Sequence, residues 1–198
     1  MRALIKGIAI IVFSYLVGSI SFATIICRKY YSIDIRQYGS KNPGSTNVLR
    51  VLGAKPALIV FIADFLKGLI VVLIGRYTGD QNLALLAGLC VVVGHDWPIF
   101  HNFAGGKGIA TSLGVIMGLT PVVGLILIPI GILIIYVSRY VSLCSVVAAI
   151  AFPILLLAFR YQINYILTGT IISAIAVYRH KSNISRLISG TENKIGKK

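Results

Sequence analysis

The stretch that decides the fold lies in the middle of the chain, where residues 108–138 read GIATSLGVIMGLTPVVGLILIPIGILIIYVS. Almost every residue in it is apolar or small, which is typical of a segment that lies in a membrane. The stretch is either one helix kinked at Pro121 or two helices that meet at Thr120–Pro121, because proline disrupts a helix interior but fits its first turn. The choice decides on which side of the membrane every later loop lies.

The rest of the chain is similarly apolar. It has 198 residues, of which 57% are hydrophobic and 12% charged, whereas soluble domains carry roughly 25% charged residues. The apolar runs approach the ~20 residues that a helix needs to cross a bilayer. With the central stretch divided at Pro121, the predicted spans are 3–26, 56–76, 83–100, 108–120, 122–138, 141–159 and 161–178. The sequence thus predicts a single all-α membrane domain over residues 1–198, a seven-transmembrane-helix bundle.

The distribution of cations favours seven spans over six. Seven spans place most of the 19 Lys and Arg residues on one side, whereas six divide them almost evenly. The cations left on the other side are Arg2, Lys6, Arg76 and Arg160. Since positive residues accumulate on the cytoplasmic side, we expect the N-terminus outside and the C-terminus in the cytoplasm. The span 108–120 is shorter than the hydrocarbon core at ~1.5 Å per residue, so it must lie among other helices or beside a polar cavity.

Four polar segments fall on the predicted cytoplasmic side: 36–50, 94–111, 138–145 and 179–194. The first contains the loop YGSKNPGSTNVLR at residues 38–50, which is rich in glycine, hydroxyls and amides and ends in Arg50. Its glycines let backbone N–H groups face one point, and arginine holds a phosphate through its planar fork. An ordinary surface turn is the alternative.

The second segment contains the glycine-rich loop Gly105–Gly106–Lys107–Gly108 at the start of the fourth span. Backbone donors, the positive end of a helix dipole and the Lys107 ammonium would converge there on an anion. The loop lacks the spacing of a nucleotide-binding P-loop and no strand precedes it, so the expected ligand is a phosphate group and not ATP. The nearby aromatic residues Trp97, Phe100 and Phe103 are more typical of an interfacial belt than of a cofactor site.

The other two segments have simpler alternatives. Segment 138–145, which contains Ser142, is a short turn between two spans. Its alternative role is that of a basic loop that merely marks the cytoplasmic side of the membrane. In segment 179–194, His180, Asn183 and Arg186 recur at roughly helical spacing and could share one face, although a basic tail that binds lipid headgroups has the same composition. Because all four segments lie on one side, a shared site is geometrically possible.

Few residues suggest a metal site or an intramembrane site. His95 and His101 lack the companion carboxylates or cysteines of a metal centre, so neither a metal nor a cofactor is expected. Asp64 and Lys67, three residues apart within the second span, can pair on one helix face, which lowers the cost of placing charge in a membrane. Their role is either structural support or direct participation in the chemistry.

Together these motifs resemble the bacterial glycerol-3-phosphate acyltransferases that use acyl phosphate as donor. The resemblance rests on GSxNxGxTNxxR from Gly39, GHxxPxF from Gly94, GGKGxAT from Gly105, RYxSL from Arg139, and HxxNxxRL from His180 followed by Gly190, Glu192 and Lys194. It extends over almost the whole chain. Lys41, Ser45 and Ala104 depart from the family's common Gly, Ala and Lys, and they leave the core donors intact.

The resemblance implies transfer of a fatty acyl group from acyl phosphate to the 1-hydroxyl of glycerol 3-phosphate, giving lysophosphatidate and phosphate. It implies a multi-pass protein of the bacterial cytoplasmic (inner) membrane, with its active site on the cytoplasmic side. The implied catalytic residues are Lys107, Arg50 and His180. The implied phosphate- and substrate-binding residues are Ser40, Asn42, Gly44, Thr46, Asn47, Gly105, Gly106, Gly108, Ser142 and Asn183.

The expected partners are therefore acyl phosphate, glycerol 3-phosphate and membrane lipid. Nucleic acid is excluded despite the net charge of +14, because too little soluble chain remains to build a recognition domain. The chain is expected to act as a monomer.

A membrane transporter for a phosphorylated solute is the main alternative, since it would also be polytopic and cationic, but its site should lie near the bilayer midplane. An alcohol phosphotransferase that uses a cytidine-linked lipid needs clustered aspartates for a metal, and the Asp residues here are scattered. Thioester-using acyltransferases carry a His-x4-Asp pair, and no histidine here has Asp five positions on.

Overall fold

The computed structural model describes residues 2–196, with side chains from residue 4 onward, and every regular element in this range is helical. Short 3-10 turns cover Ile35–Gln37 and Ile99–His101. The α-helices are α1 (Arg2–Gly18), α2 (Phe22–Tyr31), α3 (Ser45–Leu52), α4 (Ala54–Tyr77), α5 (Gln81–Asp96), α6 (Ile109–Leu119), α7 (Pro121–Ser138), α8 (Val141–Ala158), α9 (Ile163–Arg179) and α10 (Lys181–Ile188). The prediction of an all-α protein is confirmed for this range; residues 1, 197 and 198 of the predicted domain lie outside it.

Several helices are suited to a membrane by length and composition. Helices α4, α7 and α8, and α5 together with the turn that follows it, are long and apolar enough to cross one. The pair α1 and α2 is a fifth candidate if both belong to one bent span, and α6 and α9 are shorter apolar helices. Large apolar side chains such as Leu58, Leu133 and Ile163 are exposed, as expected where helices face lipid. The chain is a multi-pass membrane protein; its seven spans and the orientation of its termini stay predictions.

The first predicted span, 3–26, contains a break between two helices and stays a prediction as a membrane span. Helix α1 ends at Gly18, and α2, with Ser21 as its N-cap, is bent by 40° from it. The Lys67 ammonium on α4 donates to the carbonyls of Gly18 and Ile20 at 3.1 and 2.9 Å. Because a buried carbonyl without a partner destabilises a fold, this lysine stabilises the break.

The residues up to Leu119 form one compact unit. In it, α4 packs against α3, α5 and α6, and α1 packs against α5. Glycines let α4 and α6 approach closely, since a Cβ on Gly68 would overlap the Thr111 carbonyl and one on Gly114 would overlap the Phe65 carbonyl. The short helix α6 therefore lies among other helices, as predicted.

The two halves of the central stretch are separate helices. Helix α6 ends where the Arg76 guanidinium, from α4, donates to the Gly118 carbonyl at 2.7 Å. Thr120 then leaves the helical region at φ −141° and ψ 65°, and Pro121 occupies the first turn of α7. Proline fits that position because its nitrogen has no hydrogen to donate. The predicted division at Thr120–Pro121 is confirmed.

The residues from Thr120 form the second compact unit. Helix α8 packs against α7 and α9, and α10 contacts both α8 and α9. The C-terminal residues return to the start of α8, where the Ile195 N–H donates to the Arg139 carbonyl at 2.9 Å. The Lys194 ammonium lies 5.1 Å from the centre of the Tyr140 ring. These contacts attach segment 179–194 to the turn before α8.

Candidate active site

Asn47 organises the first polar segment. Its buried side chain accepts the Ser40 N–H at 2.8 Å and donates to the carbonyls of Ile35 and Tyr38 at 3.2 and 3.0 Å. Gly39, at φ +57°, lies against the same amide and has no room for a Cβ. The predicted role of Asn47 was a direct contact with phosphate, but both of its amide protons are engaged within the loop. Asn47 therefore holds the loop in shape.

The second half of this segment is helical, whereas a continuous loop was predicted. Helix α3 begins at Ser45 with Gly44 as its N-cap, and glycine offers no capping oxygen to the first-turn N–H groups. Such a helix end favours an anion. The remaining predicted residues are at least partly accessible: Ser40 is exposed, and Asn42, Thr46 and Arg50 are half-buried.

An ion cluster precedes this loop. Asp34 accepts from Arg36 at 2.7 Å and from Arg28 at 2.6 Å. The hydrogen bond from Arg36 is the main reason why the pKa of Asp34 lies well below its ordinary value; burial opposes it, and Arg28 adds to it. Because two guanidinium groups share one carboxylate, the cluster keeps a positive charge that attracts anions.

The glycine-rich loop Gly105–Gly108 packs against His95. The Gly106 N–H donates to the His95 carbonyl at 3.1 Å. A Cβ on Gly105 would overlap that carbonyl, and one on Gly106 would overlap the imidazole Nε2, so only glycine fits at these two positions. Gly108 has φ +68° and α6 begins directly after it, while Lys107 is half-buried. The prediction that this loop opens a helix is confirmed.

In the second unit, Glu192 gathers three polar side chains of the predicted segments. It is buried and accepts from Asn183 Nδ2 at 2.8 Å and from Arg186 Nε at 2.7 Å. The Ser142 hydroxyl lies near this carboxylate and makes the smallest contribution to lowering its pKa. Burial raises the pKa of Glu192, but the hydrogen bonds from Asn183 and Arg186 outweigh it, and the pKa lies below its ordinary value. From the sequence, Glu192 was identified only as part of the family pattern and was given no role; a further signal is that it is the only glutamate in the sequence.

His180 lies at the junction of α9 and α10 and is buried. Its Nδ1 is 2.8 Å from the Ala176 carbonyl oxygen. A carbonyl can only accept, so Nδ1 carries the ring proton and Nε2 is the acceptor nitrogen of the neutral imidazole. In this state His180 can accept a proton from a hydroxyl group at Nε2.

The predicted site residues divide between the two compact units. In the first, both segments are attached to α4: α3 packs against it, and Lys67 Nζ lies 2.8 Å from His95 Nδ1. The predicted pairing of Lys67 with Asp64 is confirmed at 2.9 Å. In the second, Ser142, Asn183 and Arg186 meet at Glu192. Among residues 2–196, no three His, Cys, Asp or Glu side chains are grouped so that they could hold a metal ion.

Comparisons with known proteins agree with these motifs. The family model of glycerol-3-phosphate acyltransferase matches residues 8–190. The glycerol-3-phosphate acyltransferase of Thermoanaerobacter pseudethanolicus is 47% identical over 187 residues, which cover 94% of either protein. The fold is similar to the crystal structure of PlsY (YgiH), an integral membrane glycerol 3-phosphate acyltransferase, in its glycerol 3-phosphate form (TM-score 0.92, 39% identity, 96% of both chains). It is also similar to the lysophosphatidic acid form of PlsY, with a TM-score of 0.90 at the same identity and coverage.

Proposed function

Because this chain belongs to the glycerol-3-phosphate acyltransferase family, we propose that it transfers a fatty acyl group from an acyl phosphate to the 1-hydroxyl of glycerol 3-phosphate. The products are lysophosphatidate and inorganic phosphate. The glycerol 3-phosphate and lysophosphatidic acid forms of PlsY support this acceptor and this product. The observation that carries the proposal is the family match over residues 8–190, which includes every predicted site residue.

The proposed acyl transfer requires positively charged side chains in the active site. An acyl phosphate is a mixed anhydride, so its carbonyl is already activated and the enzyme needs mainly to hold two anionic reactants together. Repulsion between their phosphates opposes this. We assign Arg50 and Lys107 to offset that repulsion and to stabilise the phosphate as it leaves, since fixed donors act most strongly where charge develops. Holding both reactants also supplies proximity.

The other predicted residues take binding and orienting roles. Asn183 and His180 orient glycerol 3-phosphate, and the charged hydrogen bond to Glu192 fixes Asn183. Asn47 acts through the loop that it shapes. The residues assigned to phosphate are Ser40, Asn42, Gly44, Thr46, Gly105, Gly106, Gly108 and Ser142.

The transfer has a simple balance of bonds. The glycerol oxygen forms an ester bond to the carbonyl carbon, the bond from that carbon to the phosphate oxygen breaks, and the hydroxyl proton leaves. The proton goes either to His180 Nε2 or to an oxygen of a substrate phosphate. The tautomer of His180 supports the first route, whereas the family resemblance favours the second.

The membrane arrangement follows from the same reasoning. We infer seven spans in the bacterial cytoplasmic membrane, with the N-terminus outside and the C-terminus and active-site segments on the cytoplasmic side. The excess of Lys and Arg in these segments supports that orientation. The acyl chain would lie between spans near the inner leaflet. That the chain acts as a monomer stays a prediction.

One assay tests the proposed donor. Purified protein is given glycerol 3-phosphate with acyl phosphate, acyl-CoA or acyl carrier protein, and lysophosphatidate is measured. We expect product only with acyl phosphate, and none from a Lys107→Ala preparation, which controls for contaminating enzymes. Product formed at equal rates from acyl-CoA would reject the donor.

The buried Asp64–Lys67 pair is the feature that a transporter would share. Vesicles that contain the protein therefore receive labelled glycerol 3-phosphate without acyl phosphate. We expect no uptake above that of empty vesicles; uptake under these conditions would favour transport over acyl transfer.

The contact between Gly106 and His95 allows a second test. In Gly106→Ala the new Cβ must displace the loop or the imidazole, and a displacement of ~1 Å can lower activity about 10²-fold. We expect a fall of that order in kcat/KM for acyl transfer. Gly7→Ala is the matched control, because the nearest atom to its added Cβ is 4.0 Å away. If the two variants were equally active, the loop would not need this contact.

A further inference from the structure

Asp64, Lys67 and His95 form a buried polar cluster that the proposed chemistry does not use. These three residues are 2%, 4% and 8% exposed, respectively. Lys67 Nζ lies 2.9 Å from Asp64 Oδ1 and 2.8 Å from His95 Nδ1, and that nitrogen is 3.6 Å from Asp64 Oδ1. Ionisable groups within membrane-spanning helices are expensive to place there and commonly serve a function.

Lys67 determines the state of the His95 ring. An ammonium group donates three protons and accepts none. Its three hydrogen bonds go to the carbonyls of Gly18 and Ile20 and to His95 Nδ1, while Asp64 Oδ1 lies 2.9 Å away as its ion-pair partner. Because Nδ1 must accept from Lys67, the ring proton of His95 lies on Nε2.

The opposite edge of the imidazole contacts the glycine-rich loop. A Cβ on Gly106 would overlap Nε2 of His95. The three atoms nearest to that Cβ position are Nε2, Cδ2 and Cε1 of the same ring. The His95 carbonyl accepts the Gly106 N–H at 3.1 Å. His95 thus holds the loop through both its backbone and its ring, directly before Lys107.

We propose that Lys67 and His95 are positioning residues: Lys67, paired with Asp64, fixes His95 with its proton on Nε2, and His95 holds Gly106 so that Lys107 meets the substrate phosphate. The inference rests on the proposed function, because it assigns Lys107 to phosphate. Neither Lys67 nor His95 needs to touch a substrate. The same Lys67 ammonium also donates to the carbonyls at the break between α1 and α2. One side chain therefore connects that break to His95 and, through His95, to the glycine-rich loop.

Two substitutions of His95 separate this role from a purely structural one. In His95→Asn the side-chain amide keeps an acceptor for Lys67 near Nδ1 but places nothing at Nε2. In His95→Gln the amide N–H reaches the position of Nε2 but the acceptor at Nδ1 is lost. If His95 only satisfied the Lys67 charge, the asparagine variant would resemble the wild type and the glutamine variant would be impaired. The proposal requires the opposite order.

The expected kinetic result is specific. His95→Asn should lower kcat/KM at least about tenfold, because a misplaced Lys107 both binds the substrate phosphate less well and stabilises it less as it leaves. His95→Gln should recover most of that loss. Hydrogen exchange at residues 105–108, measured without substrate, should be faster in His95→Asn than in His95→Gln. Wild-type kinetics and exchange in His95→Asn would overturn the proposal.

Lys67 is tested by removing both charges at once, since the double variant Asp64→Asn, Lys67→Met leaves no buried ion unpaired. We expect it to lower kcat/KM in the His95 background and to have little further effect in the His95→Gln background, where no tautomer has to be fixed. Equal effects in both backgrounds would overturn the role of Lys67. Arg76→Gln is the control, because it removes a hydrogen bond at the far end of α6 and should lower Tm without changing kcat/KM. A wild type that makes no product from acyl phosphate would reject the proposed function alone, because the exchange measurement still reports on the loop.

Discussion

Lys107→Ala should leave a folded membrane protein that has lost almost all acyl transfer. Lys107 follows two glycines that pack so closely against His95 that a Cβ on either would overlap it, so the backbone at Lys107 is held directly before α6. Removal of one fixed donor to a developing negative charge lowers kcat by about 10² to 10³-fold. We expect at least this loss in kcat/KM, measured on purified protein with acyl phosphate and glycerol 3-phosphate. Unchanged elution and Tm would show that the fold is intact.

Lys41→Ala is the matched control for the loss of one positive charge. Lys41 is exposed, it lies in the first polar segment, and its φ of +59° is as unfavourable for alanine as for lysine. It should keep nearly wild-type activity. Arg50→Ala should lose activity as Lys107→Ala does, and Arg50→Lys should recover only part of it, because an ammonium cannot reproduce the planar fork of a guanidinium. A normal rate from purified Lys107→Ala or Arg50→Ala would refute its assigned role.

The helices could be predicted from the sequence because the membrane leaves the backbone few choices. Helices satisfy their own N–H and C=O groups, so apolar runs in lipid become helices. The division at Pro121 was also predictable, since proline marks a first turn and the cations were distributed asymmetrically only with that division. Both signals can be read without knowing which helices pack together.

The features that were missed depend on contacts between distant residues. The break after Gly18 needs the Lys67 ammonium, which comes from another helix. The loop-shaping role of Asn47 became visible only when its partners Ser40 and Tyr38 were in place. Glu192 is an ordinary acid in a basic tail until α10 turns Asn183 and Arg186 toward it. Residue types predicted which segments bind phosphate, but not which side chains hold others in position.

His180→Ala should lower kcat/KM by about 10² to 10⁴-fold if the imidazole is the general base. The hydrogen bond from Nδ1 to the Ala176 carbonyl makes Nε2 the basic nitrogen of the neutral ring, so Nε2 is the atom that would take the proton. In that case the loss should fall on kcat, with little change in the KM for glycerol 3-phosphate. If a substrate phosphate takes the proton instead, kcat should fall little and that KM should rise.

His180→Gln separates these two routes further, because its amide can form a hydrogen bond near the position of Nε2 but cannot accept a proton there. A general base would make the glutamine and alanine variants equally slow in kcat. An orienting role would let glutamine restore most of the affinity for glycerol 3-phosphate. Because His180 is buried, its replacement can destabilise the fold, so Tm is measured for each variant. If activity fell only in proportion to the amount of folded protein, His180 would have no role in the mechanism.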